Sequence, residues 1–503
     1  MKESLKFVYQ QQREISLLGG ISALLSWDQM TYMPMKGANE RAEQSSLISR
    51  LMHDKIVSDE FYDHIIKLSD DKTLKRLTKH DRIILERLKK DVEKARKIPS
   101  DYIKRSSRII SLSYNAWQTA KKKKNYRLFS PYLKKILELE QEYYDYIKLP
   151  GHPYNTLLDD YEEGMTVERL KTEFKHIKKQ IVDLLENIKT SKTYEKQKPI
   201  KGLYPQKKQH ECCLLILQHM MLKPDESRLD TSAHPFTIQI NDNDVRITTR
   251  YNKYNPLSSF YSTIHEAGHA LYDLGLPQGV YKDTVISEAP SVGLHESQSR
   301  FWENMIGKSK DFCYYWYPIL KKMYPDNPDI KKNQDIGYQI VNQVKPSPIR
   351  VEADELTYSL HIILRFEIEL LLINDKITIN EIPDFWNDKM IELLGVKPKN
   401  DAEGVLQDMH WSTGDIGYFP TYLIGSIYAA QIHKQLLKEQ PDTPKQIRKG
   451  DYQNIIKWLR THIHRYGRTL TSDQIIKKTC HEGLNADTYI KYLKDKYTTI
   501  YNL

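Results

Sequence analysis

Apolar positions recur every three to four residues through most of the chain, which is the spacing of amphipathic helices. The first 150 residues read as long helices of this kind, with clear Leu/Ile spacing over 66–94 and 133–147. Turn signals separate them: Met33-Pro34 and Gly37 join two helical stretches around Trp27, and proline-centred breaks recur at Pro99, Pro131 and Pro150. Residues 165–190 form another helix, opened by Thr166 with Glu168 close behind. The period changes to two in one place, FTIQINDNDVRITTRY at 236–251. There, β-rich runs at 236–240 and 245–249 flank an Asn-Asp-Asn-Asp turn. This predicts a hairpin, whose edge could accept an extended peptide backbone; the plainer reading is a surface hairpin that covers the core.

Neither a low-complexity linker nor an internal repeat interrupts the pattern. We therefore expect one continuous, mostly α body over residues 1–503, with a helical lobe to about residue 200 and the remainder from about 201. Hydrophobic residues make up 40% and charged residues 28%, enough for a large core under a soluble surface. The net charge of +10 is diffuse. Its densest run, Lys121 to Lys124, reads as a solvated loop or helix end, and no basic stretch is interleaved with base-stacking groups, so no nucleic-acid partner is expected. No run of 18 apolar residues occurs; the richest stretch, 361–373, is broken by Arg365, Glu367 and Glu369, so no membrane span is expected. The mildly apolar 15–25 stretch lacks the basic start and small-residue cleavage site of a signal peptide. The four cysteines, Cys212, Cys213, Cys313 and Cys480, match neither a disulfide framework nor a zinc knuckle, and read as buried thiols in a reducing cytoplasm.

Chemistry enters at TIHEAGHALYDLG, residues 263–275. His265 and His269 stand four apart, on one face of a helix and about one turn from each other. Two imidazoles so placed can ligate one metal ion while Glu266 points at it as a general base, the HExxH arrangement of a zinc peptidase. Ser262 and Thr263 are candidate N-caps, and Gly275 with Pro277 signals the end. The flanking Ile264, Ala267, Ala270, Leu271 and Leu274 predict a buried helix, in which two His and a Glu all need partners. A catalytic site wants a third protein ligand. Glu288, His295, Glu296 and Glu303 lie downstream, where Pro290 and Gly293 precede a second helix. Glu296 would sit near that helix's positive end and reach across; His295 is the competing ligand, or orients one from behind.

At HEAGH followed by HESQSRFWEN the chain resembles the carboxypeptidase Taq family of thermostable metallocarboxypeptidases. The resemblance extends through WDQMTYMPMKG at 27–37, YNTLLDDYEEGMT at 154–166, HPF and DVRIT within 234–248, IRVEADELTYSLHI at 349–362, GVLQDMHW at 404–411 and GYFPTYLIGS from Gly417. It covers essentially the whole chain in order. It implies Glu296 as the third metal ligand, a saddle- or butterfly-shaped helical metallopeptidase (gluzincin-like) with a deep substrate groove, and commonly a homodimer.

On that footing the expected chemistry is hydrolysis of peptide bonds in peptide substrates, with Glu266 taking a proton from water and returning it to the leaving amine. His410, Tyr418 and Tyr422 are the candidate donors to the oxyanion; the competing reading makes the tyrosines core or rim aromatics. Release of C-terminal residues one at a time needs a cation for the terminal carboxylate, and Arg350 resembles the family's residue for it, with Arg246 next. A structural ion pair of Arg350 with Glu352 or Asp354 is the alternative. His234 is a candidate for contact with the substrate backbone or else a satisfied core histidine, while Asp354, Glu355 and His361 look like supports behind the metal site. Zinc fits the ligands and cobalt would occupy the same set. The alternative activity is a metal-dependent endo-oligopeptidase. A catalytically idle scaffold with a structural metal would not need Glu266, His410 and Arg350 together.

Overall fold

The structure is a computed structural model that describes residues 1–198, 202–325, 327 and 334–503. Among these the chain is mostly helical, with a single three-stranded sheet. The expected division near residues 200 and 201 lies outside the described residues.

The N-terminal helices follow the pattern of turn signals. Helix α1, Lys2–Thr31, and helix α2, Ala38–Val57, are joined by a tight turn over Met35–Gly37. The stretch 66–94 is not one helix. It breaks into Asp59–Leu68, Asp71–Leu74 and Lys79–Arg96, because Asp70 and Thr78 cap new helix starts in its middle. Thr78 and Asp81 exchange side chain and backbone as a capping box, so these polar residues satisfy amide groups that a continuous helix would have used otherwise. Expectation and structure agree for Ser130–Ile147 and for Val167–Lys189, whose cap Thr166 accepts from the Arg169 amide.

The hairpin forms from β2, Thr237–Asn241, and β3, Asp244–Thr249. A further strand, β1, Ser227–Thr231, pairs parallel to β3, giving the order β1-β3-β2 and leaving β2 at an edge. SRLDT has too few apolar residues to announce a strand; its pairing with β3 makes it one. Helix α1 covers part of the β2 edge, since a Cβ on Gly20 would come within 2.6 Å of the Ile240 carbonyl oxygen. Trp27 pins α1 to the sheet, stacked by the Arg246 and Arg228 guanidiniums at 4.3 and 5.1 Å.

Among the described residues two hydrophobic cores result. The larger draws on residues from Trp117 to Tyr501. The smaller packs Val8, Phe61, Ile65, Ile84, Leu85 and Leu88 of the first helices against Val285 and Ile286. A groove of about 920 Å³ runs between the two parts, with Lys90, Asp91, Lys94 and Ile98 on one side and His265, Glu266, His269 and Glu296 on the other. All four cysteines are free and buried, and among the described residues no helix is long and apolar enough to cross a membrane.

Candidate metal centre and active site

The HEAGH helix spans Pro256–Asp273. Its cap is Asn255, which accepts from the Leu257 amide, with Pro256 at the first helical position. Ser262 and Thr263 are therefore interior residues; the Thr263 hydroxyl bonds back to the Ser259 carbonyl at 2.8 Å. The HESQSR helix spans Val292–Arg300 and is capped by Ser291, so Gly293 lies inside it. Glu296 is consequently more than a turn from the positive end, and its charge is met by Arg300 instead.

What brings these helices together is small residues at their crossings. A Cβ on Gly268 would sit 2.7 Å from the Gln298 carbonyl oxygen and the Ser299 Cα. A Cβ on Gly425, in the helix Pro420–Glu439, would sit 2.7 Å from Glu296 Cγ. The HESQSR helix is thus pressed between two backbones that approach only because a side chain is missing at each crossing.

Glu296 Oε2 stands 3.7 Å from His265 Nε2 and 3.4 Å from His269 Nε2. One ligand atom from each of the three residues lies within 4.8 Å of the others. Tetrahedral ligands about 2.1 Å from a zinc ion stand roughly 3.4 Å apart, so the donor set fits a divalent cation. The other Glu296 oxygen, Oε1, accepts from Arg300 Nε at 2.6 Å, which leaves Oε2 to face the imidazoles.

The far ring nitrogens are also taken. His265 Nδ1 lies 2.9 Å from Glu303 Oε2, and His269 Nδ1 lies 2.6 Å from His295 Nδ1. His295 Nε2 is 2.8 Å from Asp273 Oδ1. A proton on His295 Nε2 for Asp273 leaves its Nδ1 to accept from His269, so both HEAGH imidazoles carry their proton on Nδ1 and turn a lone pair on Nε2 toward Glu296. Burial and the neighbouring His295 push His269 down to about 4, keeping it neutral. Burial works against charge on Glu296, yet Arg300 and the two histidines hold its carboxyl well below the usual range. Glu303 comes from a π-helical turn, Phe301–Gly307, where the wider winding carries its carboxylate back to His265. Arg300 and Lys308 hold it there.

Glu266 is 7 % exposed and faces the groove. Thr237, the first residue of β2, donates to its Oε2 at 2.8 Å. Burial raises the Glu266 carboxyl above its ordinary value, with His265 and Thr237 opposing.

Tyr418 and Tyr422 line the same groove. Burial raises both hydroxyls above the ordinary phenol range, so they remain protonated donors. His410 does not line it; its Nε2 lies 3.2 Å from the Tyr422 hydroxyl, and burial pushes it down to about 3, so it is a neutral ring behind the tyrosine. Arg350 is buried and pairs with Asp408 rather than with Glu352 or Asp354. Arg365 shares that carboxylate at 2.7 and 2.5 Å, so two guanidiniums meet one anion and a positive charge is left over. The Arg350 guanidinium lies 4.9 Å from the Tyr422 ring, which ties this charge to the tyrosine wall.

Other expected residues lie elsewhere. Asp354 caps a turn through the Lys345 and Thr357 amides. Glu355 is bound by Tyr492, Lys496 and Tyr497 of the C-terminal helix. Neither touches the metal trio, because the irregular segment before the helix Tyr358–Ile373 turns their carboxyls away from it. His361 is buried near Arg365 and Arg350, whose charges lower it further after burial, and likewise does not reach the trio. Arg246 is held by Asp244 and Trp27. His234 is exposed, while its neighbours Pro235 and Phe236 line the groove. Glu288 pairs with Arg468. Thr237, Asp273 and Arg300 escaped the sequence reading. Asp273 follows His265 and His269 on the same four-residue spacing, and Arg300 follows Glu296 by four, so both were detectable as members of one helical stripe.

The family model for carboxypeptidase Taq (M32) metallopeptidases matches residues 7–497. The chain belongs to that family. Thermostable carboxypeptidase 1 of Pyrococcus furiosus is 37% identical over 497 residues, covering 98% of both chains. Carboxypeptidase 1 of Bacillus subtilis is 37% identical over 98% of this chain and 97% of its own. Among solved structures, the M32 carboxypeptidase of Deinococcus radiodurans superposes with a TM-score of 0.94 at 30% identity, covering 100% of both chains. Metallocarboxypeptidase 1 of Trypanosoma cruzi gives 0.94 at 32% identity, covering 99% of this chain and 100% of its own. The protein is a metallocarboxypeptidase, a hydrolase acting on peptide bonds, and the endo-oligopeptidase alternative is not favoured.

Proposed function

We propose that this M32 enzyme releases C-terminal residues singly and with broad specificity from peptides, using zinc, or cobalt in its place, held by His265, His269 and Glu296. The observation that carries the reading is the buried Glu266 carboxylate, oriented by Thr237 beside a donor trio of tetrahedral spacing. A cation held by the trio supplies Lewis-acid chemistry, polarising a carbonyl and acidifying water. Glu266 accepts the proton of the attacking water and passes it to the leaving amine; burial raises its carboxyl, which makes it a stronger base than an exposed carboxylate. Tyr418 and Tyr422 donate to the oxygen that gains charge, with His410 orienting Tyr422. Glu303 and the Asp273–His295 pair hold the imidazoles.

Arg350 receives the terminal carboxylate. Its charge is only half answered by Asp408, which Arg365 shares, and the surplus favours an incoming anion. His234 contacts the substrate backbone from beside Pro235, whereas Arg246, committed to Asp244 and Trp27, leaves the proposal. Phe236 and Thr237, where the chain enters β2, line the groove, which supports an extended substrate along it. We further read the chain as one domain, because the larger core draws on residues on both sides of position 200. Four buried thiols favour the cytoplasm, and the family resemblance favours a homodimer.

The test is timed product analysis on one unblocked peptide and its C-terminal amide, with metal analysis of the same preparation. A ladder shortening one residue at a time, lost on chelation and restored by zinc, is expected for the free peptide alone. Equal turnover of the amide would remove the carboxylate handle. Arg350→Ala should raise KM for the free peptide while leaving metal content intact.

A further inference from the structure

Tyr418 stands near the end of a loop, residues 404–419 with one 3-10 turn at His410–Ser412, that leads into the helix Pro420–Glu439, which carries Tyr422. Irregular backbone holds a side chain in place only when something else fixes it. The first part of this loop is held through Leu406 and Gln407, whose carbonyls accept from Trp117 and Lys121, and through Asp408, which pairs with Arg350 and Arg365. Its second part is held by Glu369. Glu369, 1% exposed on the helix Tyr358–Ile373, has no ionic partner among the described residues and spends its carboxyl on three donors. Oε1 accepts from Trp411 Nε1 at 2.7 Å. Oε2 accepts from the Tyr154 hydroxyl at 2.5 Å and from the Gly417 amide at 3.2 Å.

Trp411 follows His410, and Gly417 precedes Tyr418. One carboxylate therefore grips the segment at both ends of the stretch that presents the ring behind Tyr422 and the first tyrosine of the groove. The backbone at Gly417 has no slack. It is in the left-handed region at φ 92°, and a Cβ there would lie 3.1 Å from the Leu157 carbonyl carbon. We propose that Glu369 is a positioning residue for the reaction, setting the Tyr418 and Tyr422 hydroxyls over the metal trio by way of Trp411 and Gly417.

This rests on the reading of those tyrosines as oxyanion donors. The competing account is a satisfied core acid that contributes stability alone, and two of its own donors separate the accounts. Trp411→Phe and Tyr154→Phe each remove one hydrogen bond from the same carboxylate, but only Trp411 belongs to the segment. Assayed well below both melting temperatures, Trp411→Phe should lower kcat by roughly tenfold to a hundredfold, with KM and metal content unchanged. Tyr154→Phe should keep kcat within about twofold. Glu369→Gln should resemble Trp411→Phe, and the double variant should fall no further than the worse single one, as for two members of one unit. Equal kcat for Trp411→Phe and Tyr154→Phe overturns the proposal even where Glu369→Gln does not fold. Tyr418→Phe and Tyr422→Phe are measured alongside. If neither lowers kcat, the donor reading falls and takes this proposal with it; if they do and Trp411→Phe does not, this proposal fails alone.

Discussion

Across the groove from the metal trio stands the helix Lys79–Arg96, and the two sides are held by different forces. The near side is a continuous buried polar network. Glu303 and His295 hold the two histidine ligands, Asp273 holds His295 and Thr237 holds Glu266, and helices approach closely where Gly268 and Gly425 lack side chains. The far side rests on the small core around Phe61 and Ile65 and on ion pairs at the rim. Arg468 reaches Asp91 at 2.9 Å, Arg87 reaches Glu163 at 2.8 Å, and Lys94 pairs with Asp160. Such rim pairs contribute about 0–1 kcal/mol each, whereas an unpaired member of a buried network costs several. Separating buried partners on the metal side therefore costs more than separating rim pairs, so the far side is expected to open at lower free energy. A peptide groove benefits from that asymmetry, since chemistry needs fixed groups on one wall and entry needs movement of the other.

The comparison can be broken first at Glu266. Glu266→Gln should keep the metal and the melting temperature but lower kcat by roughly 10²–10⁴-fold, as removal of a general base does; retained turnover would take the proton-transfer role from this residue. On the far wall, Phe61→Ala should lower stability by about 3–5 kcal/mol through the cavity it leaves. Hydrogen exchange should localise the loss to the first helices and spare the HEAGH helix; uniform loss would show the walls to be one cooperative unit. A smaller effect is expected at Arg468. Arg468→Ala removes two rim pairs, to Asp91 and Glu288, and should cost at most about 2 kcal/mol, with KM altered more than kcat.

A further effect is a dependence on pH. Burial pushes the Glu162 carboxyl, which lies against Gly293 of the HESQSR helix, up to about 7. A carboxyl raised above its unfolded value stabilises the folded state below the unfolded value, and that contribution is lost as pH rises toward the folded one. Glu162→Gln should therefore look worst relative to the parent near pH 4 and recover through neutrality. Parallel thermal denaturation of both forms between pH 4 and pH 8 checks this, and a constant difference would mean that Glu162 keeps one charge state.

The HEAGH pair was legible because helical period alone puts His265 and His269 on one face, and no distant residue is needed to see it. The hydrophobic period likewise located the long helices, and β-rich alternation located the hairpin. It failed over 66–94, where Asp70 and Thr78 compete locally for backbone amides that the apolar spacing ignores. Spacing also left the third ligand open between His295 and Glu296. The tertiary structure turns Glu296 inward and His295 onto Asp273, because glycines at two crossings bring three helices into backbone contact. Thr237 on Glu266, Asp408 between Arg350 and Arg365, and Glu369 on Trp411 are likewise meetings of residues far apart in the chain. Local sequence specifies which chemistry is available; only packing brings those groups within the 3 Å or so at which a hydrogen bond can act.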